Sequence, residues 1–178
     1  MAGVPRPYSH AHAPGPTGEV VLRPALARDR ARILAWNSDP DVRARSLDPR
    51  PIDPEAHAAW LASRLADPLA SLSIALRDGQ PIGLVRIERR AAGAPGRISV
   101  VIDPTARGHG LGRAVIVAAC RADGGTIVAE ILDDNRASRA CFESAGFRLA
   151  TPASLLPAFG PVPPAASRYL WSPSHVQP

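Results

Sequence analysis

The chain has 178 residues, of which 46% are apolar, so it is long enough to form one domain with its own hydrophobic core. Its formal charge is +5, from 21 basic residues that are all arginine and 16 acidic residues. No segment concentrates this charge, aromatic residues are few, and no apolar run approaches the ~20 residues of a membrane span, so we expect neither a nucleic-acid nor a membrane partner.

The two ends of the chain are predicted to lie outside the folded unit. Residues 1–17 have almost nothing to bury, and they lack the charged-then-apolar order of a secretion signal. We expect a disordered extension at 1–17, a single domain at 18–171 and a frayed tail at 172–178. His10 and His12 have no rigid surroundings to orient them, so no metal site is expected.

The first half of the chain alternates helical and extended patterns. In chain order it predicts a strand over 19–23, a helix over 27–37, a proline-bounded segment over 41–47, a helix through 57–65, and strands over 71–77 and 82–90. Asp78-Gly79-Gln80 between the last two strands is typical of a hairpin turn. This part of the sheet is therefore expected to be antiparallel.

A glycine-rich turn stands at the centre of the sequence. Ile98–Ile102 is a β-branched run of strand length, and the residues from 111 to 121 repeat apolar side chains at helical spacing. Between them lies Arg107-Gly108-His109-Gly110-Leu111-Gly112. Glycines at the start of a helix leave backbone N–H groups unshielded, which predicts an anion site, most naturally for phosphate.

The spacing of these glycines separates the possible phosphate carriers. A nucleoside-triphosphate loop of the form G-x-x-x-x-G-K-[ST] is excluded because the chain contains no lysine. The dinucleotide pattern G-x-G-x-x-G fails because position 113 is Arg113. The remaining pattern, R-x-x-G-x-G with Arg107, Gly110 and Gly112, resembles the pyrophosphate loop of the GNAT superfamily of acyl-CoA N-acyltransferases.

A second motif follows the loop by one strand and one helix. Residues 127–132 read as a strand, Asn135 is a plausible helix N-cap, and Gly146 is the residue type expected after a helix C-terminus. The pattern N-x-x-S followed by G-F is similar to the second motif of the same superfamily. The resemblance implies an α/β fold with a mixed, mostly antiparallel sheet of about six or seven strands, about four helices and a parallel β-α-β unit around the loop.

The resemblance also implies acetyl-CoA as cosubstrate and no metal. In that family the strand before the loop offers oxyanion donors, here the backbone N–H groups of Val101 and Ile102, while loop amides hold the diphosphate. The side chain of His109 is expected to point away, leaving only its amide for phosphate. The residues expected to contact the cosubstrate are Val101, Ile102, Arg107, Gly108, His109, Gly110, Leu111, Gly112, Arg113, Asn135, Ser138 and Phe142.

Acetyl transfer to an amine needs a base that removes a proton from the ammonium form. Glu130 is the first candidate, because apolar neighbours on its strand could raise its pKa, and Glu88 is the second. In the family a tyrosine often protonates the sulfur, but the matching position here is Phe142. Tyr169 is expected on the last strand, either in the core or at an edge, so we expect slower or water-assisted protonation of the thiolate.

The acceptor site of this family is built largely from the variable first half. The phrase W-N-x-D-P-x-V-R-x-x-S followed by I-x-x-E-x-H-x-x-W resembles the branch that acetylates nucleotide-linked 4-amino sugars, and ribosomal-protein acetyltransferases carry a similar phrase. The resemblance implies substrate contacts from Arg43, Ser46 and His57. Arg43 and Arg45 could pair with a diphosphate, or they could be solvated loop arginines.

Three functions remain open at this point. The first is N-acetylation of a small molecule such as a nucleotide-linked amino sugar, and the second is acetylation of a protein N-terminus or lysine. The third is a non-catalytic acyl-CoA-binding module, suggested by Phe142. The proline-rich segment 151–164 could cover the acceptor pocket or pack as a surface loop. Cys120 and Cys141 are expected to be buried thiols in a cytoplasmic protein that is a monomer or homodimer.

Overall fold

The computed structural model describes residues 18–150 and 161–173. The predicted extension at 1–17, the end of the predicted tail and the segment 151–160 lie outside the described residues. Within these ranges the strands are β1 (Val20–Pro24), β2 (Ala70–Arg77), β3 (Gln80–Glu88), β4 (Gly96–Ile102), β5 (Ile127–Leu132), β6 (Arg148–Leu149) and β7 (Ala166–Trp171). The helices are α1 (Arg30–Asn37), α2 (Pro40–Ala44), α3 (Pro54–Ala66), α4 (Leu111–Asp123) and α5 (Arg136–Ser144).

The strands form one sheet in the order β1-β2-β3-β4-β5-β7-β6. All neighbouring strands are antiparallel except β4 and β5, which are parallel and joined by α4. The predicted mixed, mostly antiparallel sheet with one parallel β-α-β unit is confirmed. The additional helix is the short α2, which begins because Asp39 accepts a hydrogen bond from the Val42 amide at 3.2 Å and Pro40 occupies the first helical position.

Each face of the sheet carries its own hydrophobic core. On one face α4 and α5 bury residues such as Val115, Phe142 and Phe147. On the other face α1 and α3 bury Trp36 and Leu61 against β2, β3 and β4. No helix in the described part of the chain is long and apolar enough to cross a bilayer.

The parallel strands β4 and β5 are paired over only a short stretch. β4 and β5 are paired only at Gly96–Ile127, Arg97–Val128 and Ile98–Ala129. Both strands continue beyond these pairs, and each keeps its antiparallel partner on the other side. A gap therefore opens between the C-terminal ends of the two strands.

Two hydrogen-bonded links hold α1 against the sheet. The indole Nε1 of Trp36 donates to Asp103 at the end of β4, at 2.7 Å. Arg23 on β1 donates to both carboxylate oxygens of Asp29, each at 2.7 Å, and the amide of Leu26 donates to Asp29 at 2.8 Å. Asp29 is buried in spite of its charge, so these bonds replace its water.

Asp29→Asn is expected to lower the free energy of unfolding by about 2 kcal/mol at pH 7, the range of hydrogen bonds to charged groups. The hydrogen bonds from Arg23 hold the pKa of Asp29 below its usual value. A depressed folded-state pKa contributes stability above the unfolded-state value, and that stability is lost as pH falls. Urea denaturation at pH 7 and pH 3 should show the difference between wild type and variant shrinking at the lower pH, and an equal difference at both would contradict the assignment.

Candidate functional site

The gap between β4 and β5 opens into a cavity of about 1010 Å³. This volume lies at the upper end of the ~300–1,000 Å³ typical of small-molecule sites. One part of its wall comes from the separated strands and the first turn of α5, and the other part comes from the segment between α1 and α3. Side chains from the first half of the chain therefore face the same space as the two motifs of the second half.

The edge of β4 presents backbone groups to the gap. Gly96 donates to Thr126 on the β5 side, whereas Asp103 donates to Ile82 on the β3 side. Because the backbone groups of a strand alternate between its two neighbours, Val100 and Ile102 face the gap and Val101 faces β3. The Val101 amide therefore does not face the gap, and the prediction of an oxyanion donor there is wrong. The Ile102 amide faces the gap, and its role as an oxyanion donor stays a prediction.

The glycine loop has the conformation that an anion site needs. Gly108 and Gly110 have φ angles of +79° and +71°, in the left-handed region that favours glycine. Gly110 is the N-cap of α4 and makes no side-chain cap, so the first amides of the helix, including that of Leu111, are free of an intrahelical partner. His109 is exposed, and diphosphate binding by this loop stays a prediction.

Gly112 serves helix packing instead. A Cβ at this position would lie 2.9 Å from the Sγ atom of Cys141 on α5. The absence of a side chain therefore lets α4 and α5 approach each other closely. Arg113 ties the same two helices, because its Nε donates to the carbonyl of Ser144 at 2.9 Å.

The side chain of Arg107 points back into the protein. Its guanidinium donates to Asp39 at 2.8 Å and to Asp41 at 3.3 Å, and its Nε donates to the carbonyl of Ile102 at 3.2 Å. The bond from Arg107 is also the main cause that lowers the pKa of Asp39. Arg107 thus braces the loop against the N-terminus of α2, and the expected contact between Arg107 and the cosubstrate stays a prediction.

The second motif caps α5 at the edge of the cavity. Asn135 Oδ1 accepts a hydrogen bond from the Ser138 amide at 3.1 Å, which confirms the predicted N-cap. Both residues line the cavity together with Phe142, whose ring packs edge-on against Phe147 at 4.9 Å between centroids. Tyr169 is 4% exposed in the core on the α4 and α5 face, so no tyrosine of the described residues lines the cavity.

The two candidate bases are both held by arginines. Glu130 lines the cavity, with Oε1 bound to Arg168 at 2.6 Å and Oε2 contacted by Arg97 at 3.4 Å. The apolar surroundings expected for Glu130 are thus replaced by two guanidinium groups. Glu88 does not line the cavity and lies among Arg64, Arg86 and Arg97.

His57 forms part of the opposite wall. Its ring lies 5.1 Å from that of Trp60, and its Nε2 is 3.1 Å from Nδ2 of Asn37. Since an amide nitrogen can only donate, Nε2 accepts and the ring proton lies on Nδ1. Burial lowers the pKa of His57, with a contribution from Arg30, so the imidazole is neutral at neutral pH.

The two other predicted acceptor contacts stabilise their own segment. Arg43 donates to the carbonyls of Arg50 at 3.1 Å and Asn37 at 3.5 Å and to that of Asp48. The hydroxyl of Ser46 donates to the carbonyl of Val42 at 2.6 Å. Both side chains line the cavity, so their contact with substrate stays a prediction. The sequence patterns did not single out Arg86 and Arg97, which line the cavity. The one available signal was the alternation of side chains along β3 and β4, which does not say which face of the sheet carries the cavity.

Comparison with known proteins identifies the domain type. A family model described as an acetyltransferase (GNAT) domain matches residues 19–148. An aminoglycoside acetyltransferase, AAC(6')-Ib, solved with coenzyme A, shares 18% identity at a TM-score of 0.71 over 88% of this chain and 96% of that chain. A spermidine N-acetyltransferase from Vibrio cholerae, solved with CoA and spermine, shares 16% identity at a TM-score of 0.73 over 88% of this chain and 97% of that chain. A comparison with curated protein sequences finds no match. At these identities the solved structures show the shared fold.

Gly112→Ala is expected to destabilise the protein by about 1 kcal/mol through overpacking, although alanine is the better helix former. In a Cys141→Ala background the same substitution is expected to be neutral or stabilising, because the Sγ atom that the new Cβ would meet is gone. Urea denaturation of the four proteins gives the coupling between the two sites. Equal effects of Gly112→Ala in both backgrounds would show that the contact does not matter.

Proposed function

The chain belongs to the GNAT acetyltransferase family, and from this premise we propose that it acetylates the amine of an anionic small molecule, most specifically a nucleotide-linked amino sugar. The cosubstrate is acetyl-CoA, as the glycine-loop motif predicted. The observation that carries the proposal is the gap between β4 and β5, which opens into a cavity lined by Asn135 and Ser138 of the second motif and by side chains of the first half of the chain. Of the glycine loop, Arg107 belongs to that lining and residues 108–113 do not.

The residues around the gap fit coenzyme A chemically. The uncapped start of α4, with Gly108 and Gly110 in left-handed conformation, offers amides to a diphosphate. The unpaired edge of β4 at Val100 and Ile102 offers amides to the pantetheine arm and to the carbonyl oxygen of the acetyl group. Acetyl-CoA supplies a thioester carbon that an amine can attack. An amide already aligned with the developing oxyanion stabilises the transition state without reorganisation.

Glu130 is the proposed base. Arg168 holds Oε1, whereas Oε2 has only the longer contact with Arg97. Oε2 is thus the oxygen that accepts the proton of the amine, directly or through one water. The thiolate of coenzyme A leaves as a weak base, since thiols have pKa values near ~8.5, and water protonates it in the absence of a cavity-lining tyrosine among the described residues.

The charges of the cavity favour an anionic acceptor. Of its acidic side chains, Asp41 pairs with Arg107, Asp48 with Arg50 and Glu130 with Arg168. Asp53 caps α3 through the amide of Ala56 and is the one carboxylate of the described lining without an arginine partner. The arginines that line the cavity are Arg43, Arg45, Arg86, Arg97 and Arg107. A polycation such as spermine or an aminoglycoside thus meets a single unpaired carboxylate in the described lining, whereas a phosphorylated amine meets several guanidinium groups.

We place the reaction in the cytoplasm, where thiols stay reduced. Both cysteines are free. Burial raises the pKa of Cys120 to about 12, so its thiol stays protonated and unreactive.

Release of free thiol from acetyl-CoA tests the function directly. A panel of nucleotide-linked amino sugars, free amino sugars, aminoglycosides, polyamines and peptides is offered to the enzyme, and we expect turnover with the nucleotide-linked amino sugars. Preferred turnover of peptides would replace the proposal by a protein acetyltransferase. Binding of acetyl-CoA without turnover of any amine would replace it by an acyl-CoA-binding module.

Glu130→Gln tests the base, with Glu88→Gln as the matched control outside the cavity. We expect kcat/KM to fall about 100-fold in Glu130→Gln, as for loss of general base catalysis. Glu88→Gln should lower kcat/KM far less, because that carboxylate is not in the cavity lining. An unchanged kcat/KM in Glu130→Gln would remove Glu130 from the mechanism.

A further inference from the structure

A chain of ion pairs crosses the sheet beneath the cavity. It joins side chains from the end of α3 and from β3, β4, β5 and β7, with four arginines and three carboxylates and thus one positive charge in excess. Its members are Asp67, Arg64, Glu88, Arg86, Arg97, Glu130 and Arg168. A charge that faces a cavity without its own counterion indicates the charge of the ligand.

Three of these side chains line the cavity: Arg86, Arg97 and Glu130. Oε1 of Glu130 lies 2.6 Å from the guanidinium of Arg168, and both side chains are almost completely buried, with exposed fractions of 5% and 4%. The contacts of Arg97 are longer, 3.4 Å to Glu130 and 3.8 Å to Glu88, and its side chain is 48% exposed. Two guanidinium groups therefore face the cavity, and Arg168 takes up Oε1 of the carboxylate beside them.

Arg86 and Arg97 converge on the same place. In the antiparallel register Arg86 is opposite Ser99, and Arg97 is opposite Glu88. Both reach the same oxygen of Glu88, Arg86 at 3.4 Å and Arg97 at 3.8 Å. Arg86 is held in place by the ring of Trp60, 5.3 Å from its guanidinium carbon. Burial lowers the pKa of Arg86, the charge of Glu88 opposes this effect, and the charges of Arg97 and Arg64 lower the pKa further.

Resting on the proposed function, we propose that Arg86 and Arg97 together bind the phosphate or diphosphate group of the acceptor. Arg97 also contacts Oε2 of Glu130, the proposed base, so an anion bound by this pair would lie close to the reacting amine. Arg43 is less suited to this role, because its donors already serve three backbone carbonyls. Planar guanidinium groups match phosphate oxygens in pairs, which gives this subsite its selectivity.

Two acceptors that differ only in charge test the subsite. We would measure kcat/KM for a 4-amino sugar linked to a nucleoside diphosphate and for the methyl glycoside of the same sugar. The wild type should favour the charged acceptor by at least about tenfold, the effect of one charge-assisted hydrogen bond. Equal kcat/KM values for the two acceptors would overturn the proposal.

Arg86→Gln should reduce this preference by raising KM for the charged acceptor more than for the methyl glycoside. Arg97→Gln should lower the ratio of the two kcat/KM values in the same way, while also slowing both reactions, because Arg97 contacts Oε2 of Glu130. Arg97→Lys should restore part of the preference, since it keeps the charge and loses the planar fork. Arg77→Gln is the matched control, because Arg77 lies at the β2–β3 turn and pairs with Asp78. A ratio of kcat/KM values that stays at the wild-type level in Arg86→Gln and Arg97→Gln would overturn the proposal.

A binding measurement separates this subsite from the proposed function. Calorimetry with inorganic pyrophosphate is performed on enzyme saturated with coenzyme A, so that the glycine loop is occupied. If neither amino sugar is acetylated but pyrophosphate binds to wild type and not to Arg97→Gln, the subsite stands and the acceptor assignment fails. If the methyl glycoside is acetylated and pyrophosphate binds equally to both proteins or to neither, the subsite fails and the acetyltransferase assignment stands.

Discussion

The separation of β4 from β5 after Ile98 is the constraint on which the whole site depends. It is possible because each strand has a second partner: β3 accompanies β4 to Ile102, and β7 accompanies β5 to Leu132. The backbone groups left in the gap need partners, since a buried N–H or C=O without one costs about 1–3 kcal/mol. A ligand that carries amides of its own, such as the pantetheine arm of coenzyme A, satisfies this need.

The two faces of the sheet differ in polarity. The face under α4 and α5 is apolar and holds the loop and the capped start of α5 in register with β4 and β5. The opposite face is apolar only where α1 and α3 cover it, and it becomes a row of paired charges towards β7. Buried charges are tolerated only when they are paired, and every carboxylate in this row has an arginine partner.

The fold could be predicted from local signals, because its elements begin and end at residues with strong preferences. Asp78 and Gly79 mark the hairpin, Asn135 caps α5, and the β-branched run of β4 precedes the loop, as observed. The partners of long side chains could not be predicted in this way. Arg107 reaches across 68 residues to Asp39, and Arg168 meets Glu130 across a strand pair. Such partners depend on tertiary register, which sequence spacing does not contain.

The brace between Arg107 and Asp39 limits how the chain can diverge. Asp39 belongs to the half of the chain that shapes the acceptor side, yet its carboxylate caps α2 and holds the loop that faces the cosubstrate. A lineage that adopts a new acceptor can exchange the cavity-lining side chains around this aspartate, but it must keep the aspartate itself or replace both partners together. We therefore expect the residues at positions 39 and 107 to covary among relatives of this chain, even where the acceptor differs.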